Sequence, residues 1–218
     1  MRQNDFLELH PFYTAYVKDG LLNYNFTGLT VPDTLFLDAT LDGISKPGMK
    51  MYELGSFLGM STCMLGRFAK QMKTRLTAID LFCGTSGAEQ KCFENGNYDV
   101  KAHLEWNLNR VGVRDAVDIV KSDSAAYASN VPDKSVDFLF IDADHTYKGI
   151  RADIDAWLPK MKNGSTISGH DYDSDTFDQK YIHEDEKDDI HHGVIKAVNE
   201  TFKDVKCFPT SSVWVAEV

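Results

Sequence analysis

A chain of 218 residues, 43% of them hydrophobic, is long enough to form one domain with a sizeable core. Its net charge of −10, from 33 acidic against 23 basic residues, argues against a nucleic-acid partner, because binding to phosphates requires clustered Lys and Arg. No apolar run approaches the roughly 20 residues that span a bilayer, and residues 1–5 lack the apolar stretch of a secretion signal. We therefore expect a cytoplasmic protein that does not bind membranes.

The first 48 residues predict an irregular segment. Pro11, Pro32 and the turn at residues 46–48 interrupt any periodic pattern, and the segment is rich in aromatic side chains. From residue 49 onward, strand-like and helix-like patterns alternate to the C-terminus. We assign residues 1–48 to an N-terminal cap, whose rings either close the active site or pack in the core, and residues 49–218 to the main domain.

The main domain predicts an α/β fold. Helical spacing of apolar side chains predicts helices over residues 61–73, 100–111, 147–161 and 194–202. Apolar or alternating runs predict seven strands, over residues 50–55, 75–80, 116–120, 136–142, 165–168, 205–208 and 212–216. This alternation implies a doubly wound, mostly parallel seven-stranded sheet that ends in a C-terminal antiparallel hairpin.

Three of the predicted parallel strands end at or beside an acid, namely Glu53, Asp80 and Asp142. The carboxyl ends of parallel strands form the edge of the sheet where ligands bind. The first turn reads Glu-x-Gly-x-x-x-Gly over residues 53–59, so it lacks the close glycine pair of a dinucleotide site. An acid before the first glycine would repel a pyrophosphate and would suit a cationic amine or sulfonium. The pattern therefore favours S-adenosylmethionine over NAD.

The expected cofactor contacts follow from these positions. Gly55 would let the backbone approach the ligand without an intervening Cβ, and Asp80 would accept hydrogen bonds from both ribose hydroxyls. Asp123 and Ser124 follow the third strand, where the edge of an adenine would lie. The full predicted cofactor-binding set is Glu53, Gly55, Ser56, Gly59, Ser61, Asp80, Asp123, Ser124 and Asp142.

Three motifs resemble those of a known family. Residues 53–61 (ELGSFLGMS) look like motif I of class I S-adenosylmethionine-dependent methyltransferases. Residues 142–153 (DADHTYKGIRAD) and 169–172 (GHDY) resemble a signature of the small bacterial group that includes cephalosporin and macrolide-sugar O-methyltransferases, relatives of the catechol and caffeoyl-CoA O-methyltransferases. The resemblance covers roughly residues 49–218. It implies a Rossmann-like methyltransferase fold and O-methylation of a hydroxyl on a small molecule, such as a sugar or a natural-product intermediate.

A hydroxyl acceptor needs a base or a metal ion, because an alcohol is a poor nucleophile at neutral pH. Asp142 ends the fourth strand, and His170 and Asp171 end the fifth, so we expect these three side chains to lie within a few ångströms of one another. Carboxylates suit Mg²⁺, and an imidazole shifts the preference towards Mn²⁺, Fe²⁺ or Zn²⁺. In the related metal-dependent O-methyltransferases a carboxylate matches Asp142 and an Asp-Asn pair matches His170 and Asp171. The predicted metal ligands are thus Asp142, His170 and Asp171.

The predicted catalytic residues are His145 and Asp142. By the same resemblance, His145 falls where the catechol-type relatives have a catalytic lysine, and histidine is a natural general base. The alternative is that His145 caps the helix opening at Thr146 or packs on Tyr147. Asp144 is either a metal ligand in place of His170 or a residue that orients His145.

Other functions and sites stay open at this point. The rival functions are an NAD-dependent oxidoreductase or epimerase and a non-catalytic nucleoside-binding module. The segment 171–192 is dense in acids and histidines, which indicates either a second metal site or substrate-docking loop, or a solvated mobile lid. Tyr172 would line the acceptor pocket. A homo-oligomer is compatible with the sequence.

Overall fold

The protein is represented by a computed structural model that describes residues 29–83, 99–173 and 191–218. Within these ranges the helices are α1 (Val31–Ile44), α2 (Met60–Gln71), α3 (Val100–Val111), α4 (Ser124–Tyr127), α5 (Tyr147–Trp157) and α6 (His192–Thr201). The strands are β1 (Lys50–Leu54), β2 (Arg75–Asp80), β3 (Val117–Lys121), β4 (Val136–Ile141), β5 (Met161–Gly169), β6 (Lys206–Cys207) and β7 (Trp214–Glu217). No helix in the same ranges combines the length and the apolarity needed to cross a bilayer.

The strands form one seven-stranded sheet in the order β3-β2-β1-β4-β5-β7-β6. Strands β1 to β5 pair with one another in parallel, and β7 runs antiparallel between β5 and β6. The predicted doubly wound, mostly parallel sheet with a C-terminal antiparallel hairpin is therefore confirmed. The order reverses between β1 and β4, and this is the point where open α/β sheets bind their ligands.

Helices cover both faces of the sheet. Every residue of β4 is buried, as expected for a central parallel strand that faces helices on both sides. One core cluster joins one face of the sheet to helices α1, α2 and α3 through Leu37, Leu41, Leu65, Leu104 and Leu108. The other joins the opposite face to helices α5 and α6 through Ile150, Ile154, Trp157, Val194 and Ile195.

Helix α1 corrects the prediction that residues 1–48 are irregular. Thr30 and Asp33 form a reciprocal capping box, and Pro32 lies in the first turn, where its missing N–H leaves no hydrogen bond unmade. Pro32 thus starts a helix instead of breaking one. The inward side chains Leu37 and Leu41 are fully buried. The boundary at residue 48 stays a prediction, and the aromatic rings at positions 12, 13, 16, 24 and 26 lie outside the described residues.

Smaller differences occur at the ends of elements. The helix predicted over residues 147–161 ends at Trp157 and continues as a 3₁₀ turn, Leu158–Lys160, that contains Pro159. Strand β5 starts at Met161, four residues earlier than predicted. Pro159 ends the α-helical hydrogen bonding, because a proline ring cannot continue it.

Candidate active site

The ends of β1, β2 and β4 meet at one edge of the sheet. The backbone N–H of Gly55 donates to Ile79 (2.9 Å), and that of Asp142 donates to Leu54 (2.7 Å). Both Asp80 and Asp142 lie close enough to Glu53 for their charges to raise its pKa. The structure therefore brings together the three acids that the strand ends predicted.

Glu53 lies beneath the turn between β1 and α2. Its carboxylate is fully buried and accepts hydrogen bonds from the hydroxyls of Ser61 (2.5 Å) and Ser56 (3.4 Å). Burial raises the pKa of Glu53 to about 8, so the buried acid is mainly protonated at neutral pH. The contacts of Glu53, Ser56 and Ser61 tie the turn to the first residues of α2, and their role towards a cofactor stays a prediction.

Gly55 and Gly59 shape this turn. Gly55 has a φ of +81°, and a Cβ added there would lie 1.9 Å from the carbonyl oxygen of Asp142. The backbone of Asp142, at the end of the neighbouring strand, thus leaves no room for a side chain at position 55. The sequence did not reveal this reason for the glycine. Gly59 has a φ of +93° and precedes α2, where an added Cβ would lie 2.4 Å from Leu104 Cδ1.

Asp80 holds the same turn from the side of β2. Its Oδ2 accepts the backbone N–H groups of Ser56 (2.7 Å) and Phe57 (2.8 Å), and its Oδ1 accepts that of Phe82 (2.6 Å). Phe57 and Phe82 both have positive φ angles (42° and 54°), a strained conformation that clusters at functional sites. The expected contact of Asp80 with ribose hydroxyls stays a prediction.

Asp123 and Ser124 make structural contacts after β3. Asp123 caps α4 by accepting the N–H of Ala126 (2.8 Å). The Ser124 hydroxyl donates to Asp153 Oδ1 on α5 (2.5 Å), and its carbonyl accepts the indole N–H of Trp157 (2.9 Å). These bonds fix the β3 end against α5, and the expected contacts of both residues with adenine stay a prediction.

Carboxylates and imidazoles gather where β4 and β5 end. Ligand atoms of Asp142, His170 and Asp171, the predicted metal set, lie within 4.8 Å of one another. A second group at the same spacing shares Asp171 and adds His145 and His191. Oxygen and imidazole ligands together fit Mn²⁺, Fe²⁺ or Zn²⁺. His191 was absent from the predicted set, and its signal was the histidine-rich end of segment 171–192, of which residues 174–190 lie outside the described ranges.

His145 faces two carboxylates of this cluster. Its Nε2 lies 3.3 Å from Asp171 Oδ2 and 3.5 Å from Asp142 Oδ1. Burial lowers the pKa of His145, but the charge of Asp171 and the hydrogen bond and charge of Asp142 outweigh burial and raise the pKa to about 9. In this arrangement the imidazole is mainly protonated at neutral pH. It therefore becomes a base only when positive charge offsets the two carboxylates.

The contacts of Thr146 and Asp144 bear on two alternatives for this segment. Thr146, not His145, caps α5, because its side chain accepts the N–H of Gly149 (3.1 Å). Asp144 Oδ1 accepts the N–H of Thr146 (2.9 Å), which forms a turn before the helix. Neither group of potential metal ligands among the described residues includes Asp144.

Asp171 is the residue that both ligand groups share. It has a φ of +64°, and its Oδ1 lies 3.0 Å from His170 Nδ1 and 3.2 Å from His191 Nδ1. Burial opposes ionisation, but the charges of His170 and His145 hold the pKa of Asp171 well below its usual value. Tyr172 differs from the expected pocket wall: its ring is buried in the core, and its hydroxyl donates to Asn199 (2.6 Å).

Asp33, at the start of α1, is a contact of this cluster that the sequence did not reveal. Its Oδ2 lies 3.4 Å from His170 Nε2. The sequence shows the capping-box pattern Thr30-x-x-Asp33, but it does not indicate the contact of Asp33 with His170, which is 137 residues away in the chain.

Comparison with known proteins gives one family match and a shared fold. A family model described as a methyltransferase domain matches residues 52–172, more than half of the chain. An O-methyltransferase from Bacillus cereus, solved in complex with SAH, is 16% identical, with a TM-score of 0.64 over 100% of this chain and 92% of that one. The O-methyltransferase NovP is 12% identical, with a TM-score of 0.61 over 86% and 79%. Rv0187 from MTB, solved with its cofactor, is 17% identical, with a TM-score of 0.60 over 87% and 81%.

Proposed function

The chain belongs to the methyltransferase domain family, and we propose that it transfers a methyl group from S-adenosylmethionine to a hydroxyl oxygen of a small molecule. In this reaction the methyl carbon leaves the sulfonium sulfur and bonds to the acceptor oxygen, and the acceptor loses its hydroxyl proton. The products are S-adenosylhomocysteine and a methyl ether.

The edge formed by β1, β2 and β4 supports the choice of methyl donor. The turn after β1 has no close glycine pair for a pyrophosphate, and it lies between Glu53 and Asp80. Asp80 Oδ1 accepts one hydrogen bond among the described residues, so it has capacity for a ribose hydroxyl. The bound SAH of the similarly folded Bacillus cereus enzyme is a second reason to test this donor.

The single observation that carries hydroxyl methylation is the cluster of Asp142, His145, His170 and Asp171 beside this edge. A divalent ion held by Asp142, His170 and Asp171 would lower the pKa of a hydroxyl bound to it. His145 is the group that takes the proton. Its two carboxylate partners are also the proposed ligands, so ion binding and the basicity of His145 are linked.

Labelled S-adenosylmethionine, supplied with a panel of hydroxylated sugars and phenols, tests this function. We expect transfer in Mg²⁺ or Mn²⁺, loss of transfer in chelator, and recovery when the ion is restored. His145→Gln should lower kcat about 10²-fold or more, the usual contribution of a general base. His103→Gln, on α3 and outside the cluster, is the matched control and should keep wild-type turnover.

Three results would contradict the proposal. Equal turnover in chelator and in metal would remove the ion from the reaction, and wild-type turnover in His145→Gln would remove the base. If the protein bound NAD and did not bind S-adenosylmethionine, the methyl donor itself would be wrong.

A further inference from the structure

We propose that Asp33 positions the imidazole of His170 for ion binding, which makes helix α1 part of the proposed ion site. This inference rests on the proposed function, because it concerns the ion that the function uses. It assigns to helix α1 a role that its sequence position alone does not indicate.

Asp33 is a rigid acceptor. Its side chain is 1% exposed. Oδ1 accepts the hydroxyl of Ser211 and the N–H of Ser212, both at 2.8 Å. Oδ2 accepts the N–H and the hydroxyl of Thr30, both at 2.6 Å. Four hydrogen bonds from two distant parts of the chain therefore fix the orientation of the carboxylate that faces His170.

The two ring nitrogens of His170 face different partners. Nε2 lies 3.4 Å from Asp33 Oδ2, and Nδ1 lies 3.0 Å from Asp171 Oδ1, on the side of the ligand cluster. His170 is 8% exposed, so its ring has little room to turn. When Nε2–H donates to Asp33, Nδ1 keeps its lone pair on the side of Asp171, where it would be available to an ion held by that residue.

With an ion bound, this arrangement would be the carboxylate–histidine–metal relay that orients histidine ligands in metalloproteins. The outer carboxylate fixes the tautomer and raises the basicity of the ligand, and its removal typically weakens metal binding 10- to 100-fold. Asp171 is both the next residue in the chain and a ligand in the same group, so a turned His170 ring would disturb two ligands at once.

The rival explanation is that Asp33 only caps α1 and anchors the loop at Ser211. The two oxygens separate the loop anchor from the His170 contact, because Ser211 contacts Oδ1 and His170 contacts Oδ2, the oxygen that also accepts from Thr30. Asp33→Asn changes the acceptor that faces His170. Ser211→Ala removes a structural bond of the same carboxylate and leaves the His170 contact in place.

The test measures Mn²⁺ affinity by the electron paramagnetic resonance signal of the free ion, without methyl donor or acceptor. We expect Asp33→Asn to raise the Mn²⁺ Kd 10- to 100-fold. Ser211→Ala should lower Tm and keep the wild-type Kd. A folded Asp33→Asn protein with the wild-type Kd, or an equal loss of affinity in Ser211→Ala, would overturn the proposal.

A second measurement needs no variant. In wild-type protein with ¹⁵N-labelled histidine and bound Zn²⁺, the proposal requires His170 to carry its proton on Nε2; a proton on Nδ1 would overturn it. Mn²⁺ binding without any methyl transfer would contradict the proposed function and leave this inference intact. Methyl transfer by a protein that binds no Mn²⁺ would overturn this inference and leave the methyltransferase assignment intact.

Discussion

Single residues at the carboxyl edge of the sheet are constrained by neighbours that are distant in the chain. Gly55 is the sharpest case, because the backbone of Asp142 and Ala143 occupies the place of a Cβ at that position. A left-handed φ alone costs a non-glycine residue about 1–2 kcal/mol. Contact with a fixed backbone adds a steric cost that no rotamer change relieves.

Gly55→Ala is therefore expected to destabilise the protein by more than about 3 kcal/mol or to prevent folding. Gly112→Ala is the matched control, since Gly112 has a φ of +76° and no heavy atom within 4 Å of an added Cβ. It should cost only about 1–2 kcal/mol. Urea denaturation of both variants checks the prediction, and equal losses of stability would show that φ, not packing, governs Gly55.

Asp153 predicts a pH dependence of stability. Burial outweighs the hydrogen bond from Ser124 and raises the pKa of Asp153 to about 7, from 3.8. The folded state thus keeps a proton that the unfolded chain releases. The resulting stabilisation is complete below about pH 4 and is lost as the pH rises to about 7.

Between pH 5 and pH 8 this residue should lower the free energy of unfolding by about 2–3 kcal/mol. Asp153→Asn keeps an acceptor for the Ser124 hydroxyl and has no proton to lose. Urea titrations at the two pH values should show a flatter pH dependence for the variant. An unchanged pH dependence would show that Asp153 titrates normally.

The contrast between predictable and unpredictable residues has a physical cause. The meeting of Glu53, Asp80 and Asp142 followed from the sequence, because parallel strands end at one edge. The hydrogen-bond partners of the residues at this edge could not be predicted from the sequence. The backbone groups bound by Asp80, and the contact between Ser124 and Asp153, depend on how turns and helices pack.

At the scale of elements, α1 shows why a local rule failed. A proline reads as a break in a helix interior and as a good first-turn residue at a helix start. Only the capping box of Thr30 and Asp33 distinguishes the two cases. The periodic helices and the apolar strands were predictable, because each buries one face or both faces against the sheet.

Helix α1 should contribute to the stability of the whole fold. Leu37 is fully buried in the core cluster shared with α2 and α3, so Leu37→Ala is expected to cost about 2–5 kcal/mol. Leu35 lies on the same helix and is 52% exposed, and Leu35→Ala should change stability by less than about 0.5 kcal/mol. Urea denaturation measures both, and a small effect of Leu37→Ala would show that α1 is a loosely attached cap.

At the scale of the whole molecule, sheet topology brings all proposed chemistry to one side. The strand order reverses between β1 and β4, and in open α/β sheets the ligand crevice lies at the carboxyl ends of the strands at such a reversal. Asp80 lies on one side of this reversal, at the end of β2. The potential metal ligands Asp142, His170 and Asp171 lie on the other side, at the ends of β4 and β5. A methyl donor in the crevice would therefore lie next to the groups proposed to bind and deprotonate the acceptor.

Calorimetric titration with S-adenosylhomocysteine tests the central claim, that this crevice is a nucleoside site for a methyl donor. We predict one molecule bound per chain, no binding of NAD, and at least about tenfold weaker binding by Asp80→Asn. Asp118→Asn, on the neighbouring strand and paired with Arg75 at the surface, should bind as the wild type does. Binding of NAD in place of S-adenosylhomocysteine, or wild-type affinity in Asp80→Asn, would contradict the claim.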